Sequence, residues 1–371
     1  MDVSLSDAQA AVVEDAQSVA AQIIGPAALA RHKDGEFPLE TLQALAGRGL
    51  MGVNIDASLG GRDAGVVAYS MAITEVACAD PAVAVTMAVN NMVGEVIYAF
   101  GSQKQRQELI PALTSGRFSS GSFCLSEPGS GSDAAGMRTR ARATDEGWIL
   151  DGTKAWITSG AHAGVFLVWA KTDEREISLF AVDPELPGIE VGGAEEKMGQ
   201  HASNTVALSF DGVKLPAEAM VGEPGQGFRI AMMALDGGRI GIASQSLGIA
   251  DAALQLADLQ QLTTGLHRSL FESLRARVEA ARSITWRAAW LKEQGDRPFS
   301  QEASMAKLSA SEAAHAVADA LFRYWPTPMS DDDQRRLSMA EKLLRDVRVT
   351  RIYEGTSEIQ RLVIARNLLR R

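Results

Sequence analysis

A chain of 371 residues is longer than one hydrophobic core usually extends, so we expect two or three packed subdomains. Hydrophobic residues make up 46% and charged residues 22% of it, which excludes a disordered chain. The net charge of −10 argues against binding to nucleic acid or an anionic membrane, since both require clustered basic residues.

Targeting, membrane and redox signals are weak. Residues 1–7 have neither the character of a secretory signal nor that of a transit peptide, which favours a cytoplasmic location. The most apolar window, residues 83–93, is shorter than the roughly 20 residues of a bilayer span, so we predict no membrane insertion. Cys78 and Cys124 are the only cysteines; we expect two core thiols in a reducing compartment and no metal site.

The first region, residues 1–118, is rich in alanine and has helical spacing, for example in residues 39–45. Ser6-Asp-Ala-Gln9 fits a capping box. Asp80-Pro81 is typical of the start of a helix. We therefore predict an N-terminal helical domain.

The second region, residues 119–224, changes to a period of two, in residues 139–144 and 205–210. Glycine follows an acidic residue at 146–147, 151–152 and 211–212, a pattern typical of hairpin turns. This region is predicted to be a β domain.

Helical spacing returns in the third region, residues 225–371, which is predicted to be a helix bundle. The resulting order is helices, then strands, then helices, without alternation of strands and helices. This order indicates an α+β fold and makes a doubly wound nucleotide fold improbable.

Four segments could carry chemistry. Residues 123–133 combine glycines with hydroxyl side chains, which can bind a phosphate or a polar ring edge, although alone they would suggest an ordinary turn. Trp156 could lie against a planar cofactor with the Thr158 hydroxyl aimed at a ring nitrogen, or could simply be a core residue. Asp236 and Arg239 have the i, i+3 spacing of a surface ion pair or of a polar ligand site.

The fourth segment is Tyr353-Glu-Gly-Thr-Ser-Glu-Ile-Gln360, which interrupts a helical pattern. A loop there could present Glu354 to an apolar pocket. Burial would raise the pKa of Glu354 and make it a base near neutral pH. Any single glutamate is more commonly a solvated surface charge.

These segments together, in order and spacing, resemble the acyl-CoA dehydrogenase family along nearly the whole chain. The similarity is greatest to the short-chain, butyryl-CoA type, through residues 236–244 and 353–365. The resemblance implies an N-terminal helical domain, a middle β-barrel and a C-terminal four-helix bundle, with FAD between the last two.

The resemblance also implies roles for individual residues. Those implied to line the flavin are Phe123, Leu125, Ser126, Gly131, Ser132, Trp156, Ile157 and Thr158. Those implied to meet FAD near the catalytic loop are Thr356, Ser357 and Glu358. Those implied to face CoA are Ser132, Asp236, Arg239 and Gly355.

The implied reaction is the α,β-dehydrogenation of an acyl-CoA, most typically a short one, to a trans-2-enoyl-CoA. Glu354 would remove the α-proton while hydride passes to flavin N5. The usual electron acceptor in the family is an electron-transfer flavoprotein. The scaffold could also serve an acyl-CoA oxidase that reduces oxygen directly.

Two stretches depart from the family pattern. Residues 259–268 lack an Arg-x-x-Phe-Gly loop, and residues 321–333 replace a glycine-rich segment with prolines and aspartates. In the family, both hold the FAD of the neighbouring subunit. We therefore expect either a hetero-oligomer with a second dehydrogenase-like subunit or a homo-oligomer with rewired contacts, for example through His267 or Arg268. A further alternative is a degenerate, FAD-poor subunit that supports an active paralogue.

Overall fold

The computed structural model describes residues 4–325 and 330–369, and in it helices precede and follow one block of strands. Ser6 and Gln9 form the predicted capping box before the first helix. Asp80 caps the fifth helix through its side chain, with Pro81 as the first helical residue. The N-terminal helices are α1 (Asp7–Val19), α2 (Gly25–Asp34), α3 (Leu39–Gly47), α4 (Gly65–Ala79), α5 (Pro81–Phe100) and α6 (Gln103–Thr114).

The strands form one sheet domain in the middle of the chain. They are β1 (Gly121–Cys124), β2 (Arg140–Thr144), β3 (Gly147–Thr158), β4 (Val165–Lys171), β5 (Ile177–Val182), β6 (Ile189–Ala194), β7 (Thr205–Pro216) and β8 (Met220–Val221). In the described part of the chain they pair as one eight-stranded sheet in the order β6-β7-β3-β2-β4-β5-β8, with β1 parallel to β4. The predicted middle β domain is confirmed. In its sheet, β6 and β8 stand at the two ends of the strand order.

Two of the three predicted hairpin turns are wrong. The acidic-Gly pair at 146–147 does join β2 to β3, but the pairs at 151–152 and 211–212 lie inside β3 and β7. They lie near each other across a register shift, and the Gly212 N–H donates to Asp151 Oδ1 at 2.8 Å. A Cβ on Gly152 would stand 2.6 Å from the Thr139 Cα, so glycine here permits close strand approach at a bulge.

The C-terminal region is helical, as predicted. Its helices are α7 (Gly227–Leu259), α8 (Arg268–Gln294), α9 (Ser300–Arg323), α10 (Asp331–Asp346) and α11 (Ser357–Leu369). The helices α7, α8 and α9 pack against one another, while α10 and α11 pack on α9. The α+β fold class is thus confirmed.

Helix α7 is the element on which the regions meet, because it packs against α4, α5, α9 and the sheet. One hydrophobic cluster joins the N-terminal helices to the C-terminal ones through residues such as Ile73 and Leu247. A second joins α5, the sheet and α7, through residues such as Val93, Trp169 and Ile242.

Helix α5 is long and apolar enough, by length and composition, to cross a membrane. This corrects the estimate of a shorter apolar segment made from residues 83–93. In this fold, however, 78% of its most apolar window is buried, which is the position of a core helix. Its buried Asn90 and Asn91 donate to backbone carbonyls of Met51 and Leu50 at 2.8 and 3.0 Å. These bonds connect α5 to the segment between α3 and α4.

Candidate active site

Glu354 lies in a short loop between a 3₁₀ turn (Val347–Arg351) and α11. Glu354 and Gly355 both have left-handed backbones, with φ of +54° and +89°. For a residue with a side chain this conformation costs about 1–2 kcal/mol, so other contacts must hold the loop in place. Such strain is typical of functional positions.

Two buried side chains provide those contacts. The Lys307 ammonium donates to the Gly355 carbonyl at 2.7 Å. The Gln360 side-chain amide donates to the carbonyls of Glu354 and Gly355 at 3.1 and 2.8 Å. Both Lys307 and Gln360 are fully buried, so the loop is fixed from beneath by α9 and α11.

The Glu354 carboxylate points at α7. A Cβ on Gly238 would lie 2.5 Å from Glu354 Oε2 and 3.1 Å from Met92 Sδ, so the carboxylate occupies space that exists because residue 238 has no side chain. Glu354 Oε2 is shielded from solvent and accepts no hydrogen bond from the described residues. Burial raises the pKa of Glu354 to about 7, against the opposing effect of the Arg239 and Lys307 charges.

Tyr353, next to Glu354, is held by side chains from two other regions. Its hydroxyl donates to Gln245 Oε1 on α7 and accepts from Gln200 Nε2 at 3.2 Å. The Gln200 side chain also donates to the Asp346 carbonyl at 3.0 Å. The sheet domain, α7 and the end of α10 therefore share one buried polar network beside Glu354.

That network extends through a buried ion cluster. Lys342 binds Asp80 and Asp346 at 3.0 and 2.6 Å, and Arg31 binds Asp80 at 3.1 Å. The two carboxylates raise the pKa of Lys342 despite its burial. The cluster fastens α2 and the start of α5 to α10.

Asp236 and Arg239 form the predicted i, i+3 ion pair. The pair is not on the open surface: Arg239 is 5% exposed. Ser300 Oγ donates to Asp236 at 2.8 Å, while Arg239 Nε has no partner among the described residues. Burial raises the pKa of Asp236, and Arg239 opposes that rise.

The segment around Ser126 is anchored by an ion pair that the sequence did not suggest. Lys154 is fully buried and donates to the Leu125 carbonyl at 3.0 Å and to Glu127 at 2.9 Å. Glu127 also accepts from the backbone N–H groups of Arg138 and Thr139. This anchoring fixes the course of the chain where it leaves β1.

Trp156 projects from this region. It is 55% exposed and has a φ of +57°, at a register shift between Lys154 and Ile157. A Cβ on Gly131 would lie 3.8 Å from the indole. The simple interpretation of Trp156 as a core residue is therefore wrong, because a large exposed aromatic held in a left-handed conformation is positioned to contact something outside the core.

The other candidates near Trp156 are of three kinds. Leu125 and Ile157 are buried in the core at 6% and 1% exposure, so a ligand could meet only their backbones. Phe123 packs against Trp169, with ring centroids 4.1 Å apart. The hydroxyls of Ser126, Thr158 and the exposed Ser132 make no hydrogen bond to another described residue.

The residues that follow Gly355 are partly engaged within the protein. Ser357 donates to Glu312 at 3.2 Å, and Thr356 Oγ1 accepts from the Ile359 N–H at 3.4 Å. Glu358 is exposed, with Arg361 3.7 Å away. Of these three, Glu358 is the most accessible to a ligand.

The candidates therefore form two groups. Glu354, Gly355, Asp236 and Arg239 cluster around α7 and α9, whereas Trp156 and its neighbours lie on the sheet. Phe123, on the sheet, and Tyr353, next to Glu354, pack against the same hydrophobic cluster, which connects the two groups. Sequence analysis did not identify Gly238, Lys154 or Lys307 as site residues. The one available signal was for Lys307, a lysine within the Ala- and Ser-rich pattern of α9.

The chain matches three domain families that together span most of its length. The acyl-CoA dehydrogenase N-terminal, middle and C-terminal domain families match residues 6–117, 122–213 and 225–369. The bovine (Bos taurus) mitochondrial short-chain specific acyl-CoA dehydrogenase is 41% identical over 93% of this chain and 86% of its own length.

Two solved structures extend the comparison to the fold. Butyryl-CoA dehydrogenase from Megasphaera elsdenii superimposes with a TM-score of 0.93 at 34% identity, over 100% of both chains. Glutaryl-CoA dehydrogenase from Mycobacterium smegmatis, in complex with FADH2, gives 0.90 at 26% identity, over 99% of this chain and 96% of that one.

Proposed function

This chain belongs to the acyl-CoA dehydrogenase family, and on that basis we propose that it oxidises a short acyl-CoA to the trans-2-enoyl-CoA with Glu354 as the base. The observation that carries the proposal is the unpartnered, solvent-shielded Oε2 of Glu354. With a pKa near 7, this carboxylate can take up a proton at neutral pH without being permanently protonated.

The loop geometry supports removal of the α-proton. Lys307 and Gln360 hold the carbonyls at 354 and 355, so the carboxylate approaches a bound thioester from a fixed direction. The Glu354 backbone N–H has no acceptor among the described residues. It is free to donate to the thioester carbonyl, which would stabilise the negative charge that develops there as the α-proton leaves.

The residues on the sheet fit FAD, the family cofactor. Trp156 offers an exposed indole face, and Ser126 and Thr158 offer unpartnered hydroxyls beside it, a combination suited to a planar ring with polar edges. Bound FAD would supply the two-electron acceptor that takes the β-hydrogen as hydride. We propose that Glu358 meets FAD beside the catalytic loop and that Ser132, Asp236 and Arg239 serve the CoA end.

The test is anaerobic mixing of the FAD-loaded protein with butyryl-CoA. We expect bleaching of the oxidised flavin absorbance, and no bleaching with Glu354→Gln. Bleaching at an unchanged rate in that variant would place the base elsewhere. The rates at which air and an electron-transfer flavoprotein reoxidise the reduced flavin then distinguish a dehydrogenase from an oxidase. We propose the flavoprotein as the electron acceptor. We also propose a cytoplasmic location, which the two free thiols support.

A second candidate is a subunit that completes its cofactor site only with a different, dehydrogenase-like partner. Three leucines around the α7–α8 connection, Leu259, Leu266 and Leu270, are 60%, 98% and 38% exposed, an apolar surface typical of an interface. The His267 and Tyr324 rings pack at a tilt of 33°, with centroids 4.4 Å apart, and Gln260 donates to Asp333 at 3.0 Å, so polar groups here are engaged within the chain. Of residues 321–333, positions 326–329, with both prolines, lie outside the described residues.

Purification of the chain alone distinguishes these candidates. Stoichiometric FAD and full butyryl-CoA turnover in a native homo-oligomer would overturn the hetero-oligomer. A flavin-poor protein that gains FAD only with a second subunit would support it. Glu354→Gln in the assembled complex then reports whether this chain supplies the base or acts only as a support.

A further inference from the structure

Three glycines of α7 near the base leave room for side chains of other elements. At Gly237, Gly238 and Gly241 a side chain from a different element packs against the helix. A Cβ on Gly237 would stand 2.8 Å from Lys292 Nζ, and one on Gly241 would stand 2.7 Å from the Tyr69 hydroxyl. Gly238 faces Glu354 itself. The base, a lysine and a tyrosine thus all lie along one short stretch of helix.

The side chains that face α7 at Gly237 belong to a polar group. Lys292 on α8 binds Glu95 on α5 at 2.5 Å. Asn54 donates its side-chain amide to the other oxygen of Glu95, while Asn54 Oδ1 is buried without a partner. Lys292 and Glu95 keep 20% and 25% side-chain exposure, so they border open space.

Tyr69 faces α7 one turn further along, at Gly241, within electrostatic reach of both Glu95 and Glu354. The residue is 4% exposed, yet its hydroxyl makes no hydrogen bond to another described residue. Burial raises the pKa of Tyr69, and the Glu95 and Glu354 carboxylates raise it further. The hydroxyl oxygen is not among the solvent-shielded atoms without a partner in the described residues, so it keeps contact with solvent and is available to a polar group of a ligand.

We propose that the acyl group of the substrate carries an uncharged hydrogen-bonding substituent, a hydroxyl, beyond its β-carbon, which Tyr69, Asn54, Glu95 and Lys292 bind. This rests on the proposed function, because Glu354 fixes where the α-carbon lies. The tail then extends from Glu354 toward these four side chains.

The balance of charge selects a neutral group. Glu95 and Lys292 neutralise each other, so a carboxylate tail would meet the repulsion of Glu95 and an ammonium tail that of Lys292. A hydroxyl can donate to Asn54 Oδ1 or Glu95 and accept from Lys292 or Tyr69, and so uses both kinds of group. A plain alkyl tail would leave the Tyr69 hydroxyl and Asn54 Oδ1 unsatisfied.

The experiment compares ω-hydroxyacyl-CoAs with unsubstituted acyl-CoAs of equal length, from four to six carbons, on the FAD-loaded enzyme. At one length we expect kcat/KM to favour the hydroxyacyl-CoA by at least about tenfold, because a site built for a hydroxyl discriminates against its absence. Equilibrium binding of the same thioesters by calorimetry provides a readout that does not need turnover. Glutaryl-CoA serves as the charged comparison.

Tyr69→Phe and Asn54→Leu should each reduce that preference severalfold. The preference is measured within each variant as the ratio of kcat/KM for the hydroxyacyl-CoA to kcat/KM for the unsubstituted acyl-CoA. Tyr98→Phe, which removes an exposed hydroxyl on α5, is the matched control and should keep the ratio. A preference for alkyl tails at every length, a preference for glutaryl-CoA, or a ratio unchanged in Tyr69→Phe would each overturn the proposal. Failure of every acyl-CoA to be oxidised or bound would instead overturn the proposed function itself.

Discussion

Glu354 Oε2 lies 2.5 Å from the point where a Cβ on Gly238 would stand. Gly238→Ala should therefore displace the carboxylate, and we expect kcat to fall by about 100-fold or more because catalytic geometry tolerates little displacement. The fold should persist, since alanine is the better helix former by about 1 kcal/mol. Steady-state kinetics and thermal unfolding measure both effects.

The control is Gly47→Ala. It also lies in a helix, but a Cβ there would have open space. It should leave activity unchanged. Full activity in Gly238→Ala would show that the carboxylate can work from another position.

Glu354→Gln should stabilise the protein while abolishing turnover. Because the folded pKa is about 7 and the ordinary value is 4.5, the ionised form is disfavoured in the folded state. The penalty begins as pH rises through 4.5 and is complete above about 7, where it amounts to at most about 3 kcal/mol. Denaturant unfolding at about pH 8 and about pH 4 should show the gain only at the higher pH. An equal gain at both would point to a cause other than ionisation.

The overall organisation could be predicted from sequence because periodicity and capping are local. Ser6 and Asp80 mark helix starts whatever surrounds them. The Asp-Gly pairs at 151–152 and 211–212 were misinterpreted as turns since a bulge depends on the partner strand, which the local sequence does not contain. Glu354 was identified by a motif, but its carboxylate environment depends on Gly238, more than a hundred residues earlier.

Lys307→Met tests the charge beneath the catalytic loop. The Lys307 charge lowers the pKa of Glu354, while burial lowers the pKa of Lys307 itself to about 7. Without that positive charge, the pKa of the base should rise. The acidic limb of the kcat/KM profile should move to higher pH, and kcat should fall because the Gly355 carbonyl loses its donor. Lys104→Met, on the exposed surface, should leave the profile in place; a downward shift in Lys307→Met would contradict the assignment.

Tyr353→Phe tests whether the network beside the base positions it. The change leaves the ring but removes the hydroxyl that Gln245 and Gln200 contact, and Gln245 is fully buried. An unsatisfied buried amide should cost about 1–3 kcal/mol of unfolding free energy. We expect kcat to fall more than KM rises. Tyr98→Phe, at an exposed position on α5, is the control, and an unchanged kcat in Tyr353→Phe would make the network purely structural.

Trp156→Gly separates strain from cofactor binding. A tryptophan with a φ of +57° is strained by about 1–2 kcal/mol, which glycine avoids at an entropic cost of about 0.5–1 kcal/mol. Because Trp156 is 55% exposed, little packing is lost, and the unfolding free energy of the flavin-free protein should stay level or rise slightly. FAD affinity should fall at least about tenfold, since base–aromatic stacking is worth about 1–3 kcal/mol.

Asp63→Gly is the matched control, because Asp63 is exposed and also has a left-handed backbone, with a φ of +46°. It should reproduce the stability effect without changing flavin release measured by fluorescence. If Trp156→Gly keeps its FAD, the indole does not contact the cofactor. If it loses stability by several kcal/mol, Trp156 is held by packing after all, and its left-handed conformation has a structural cause.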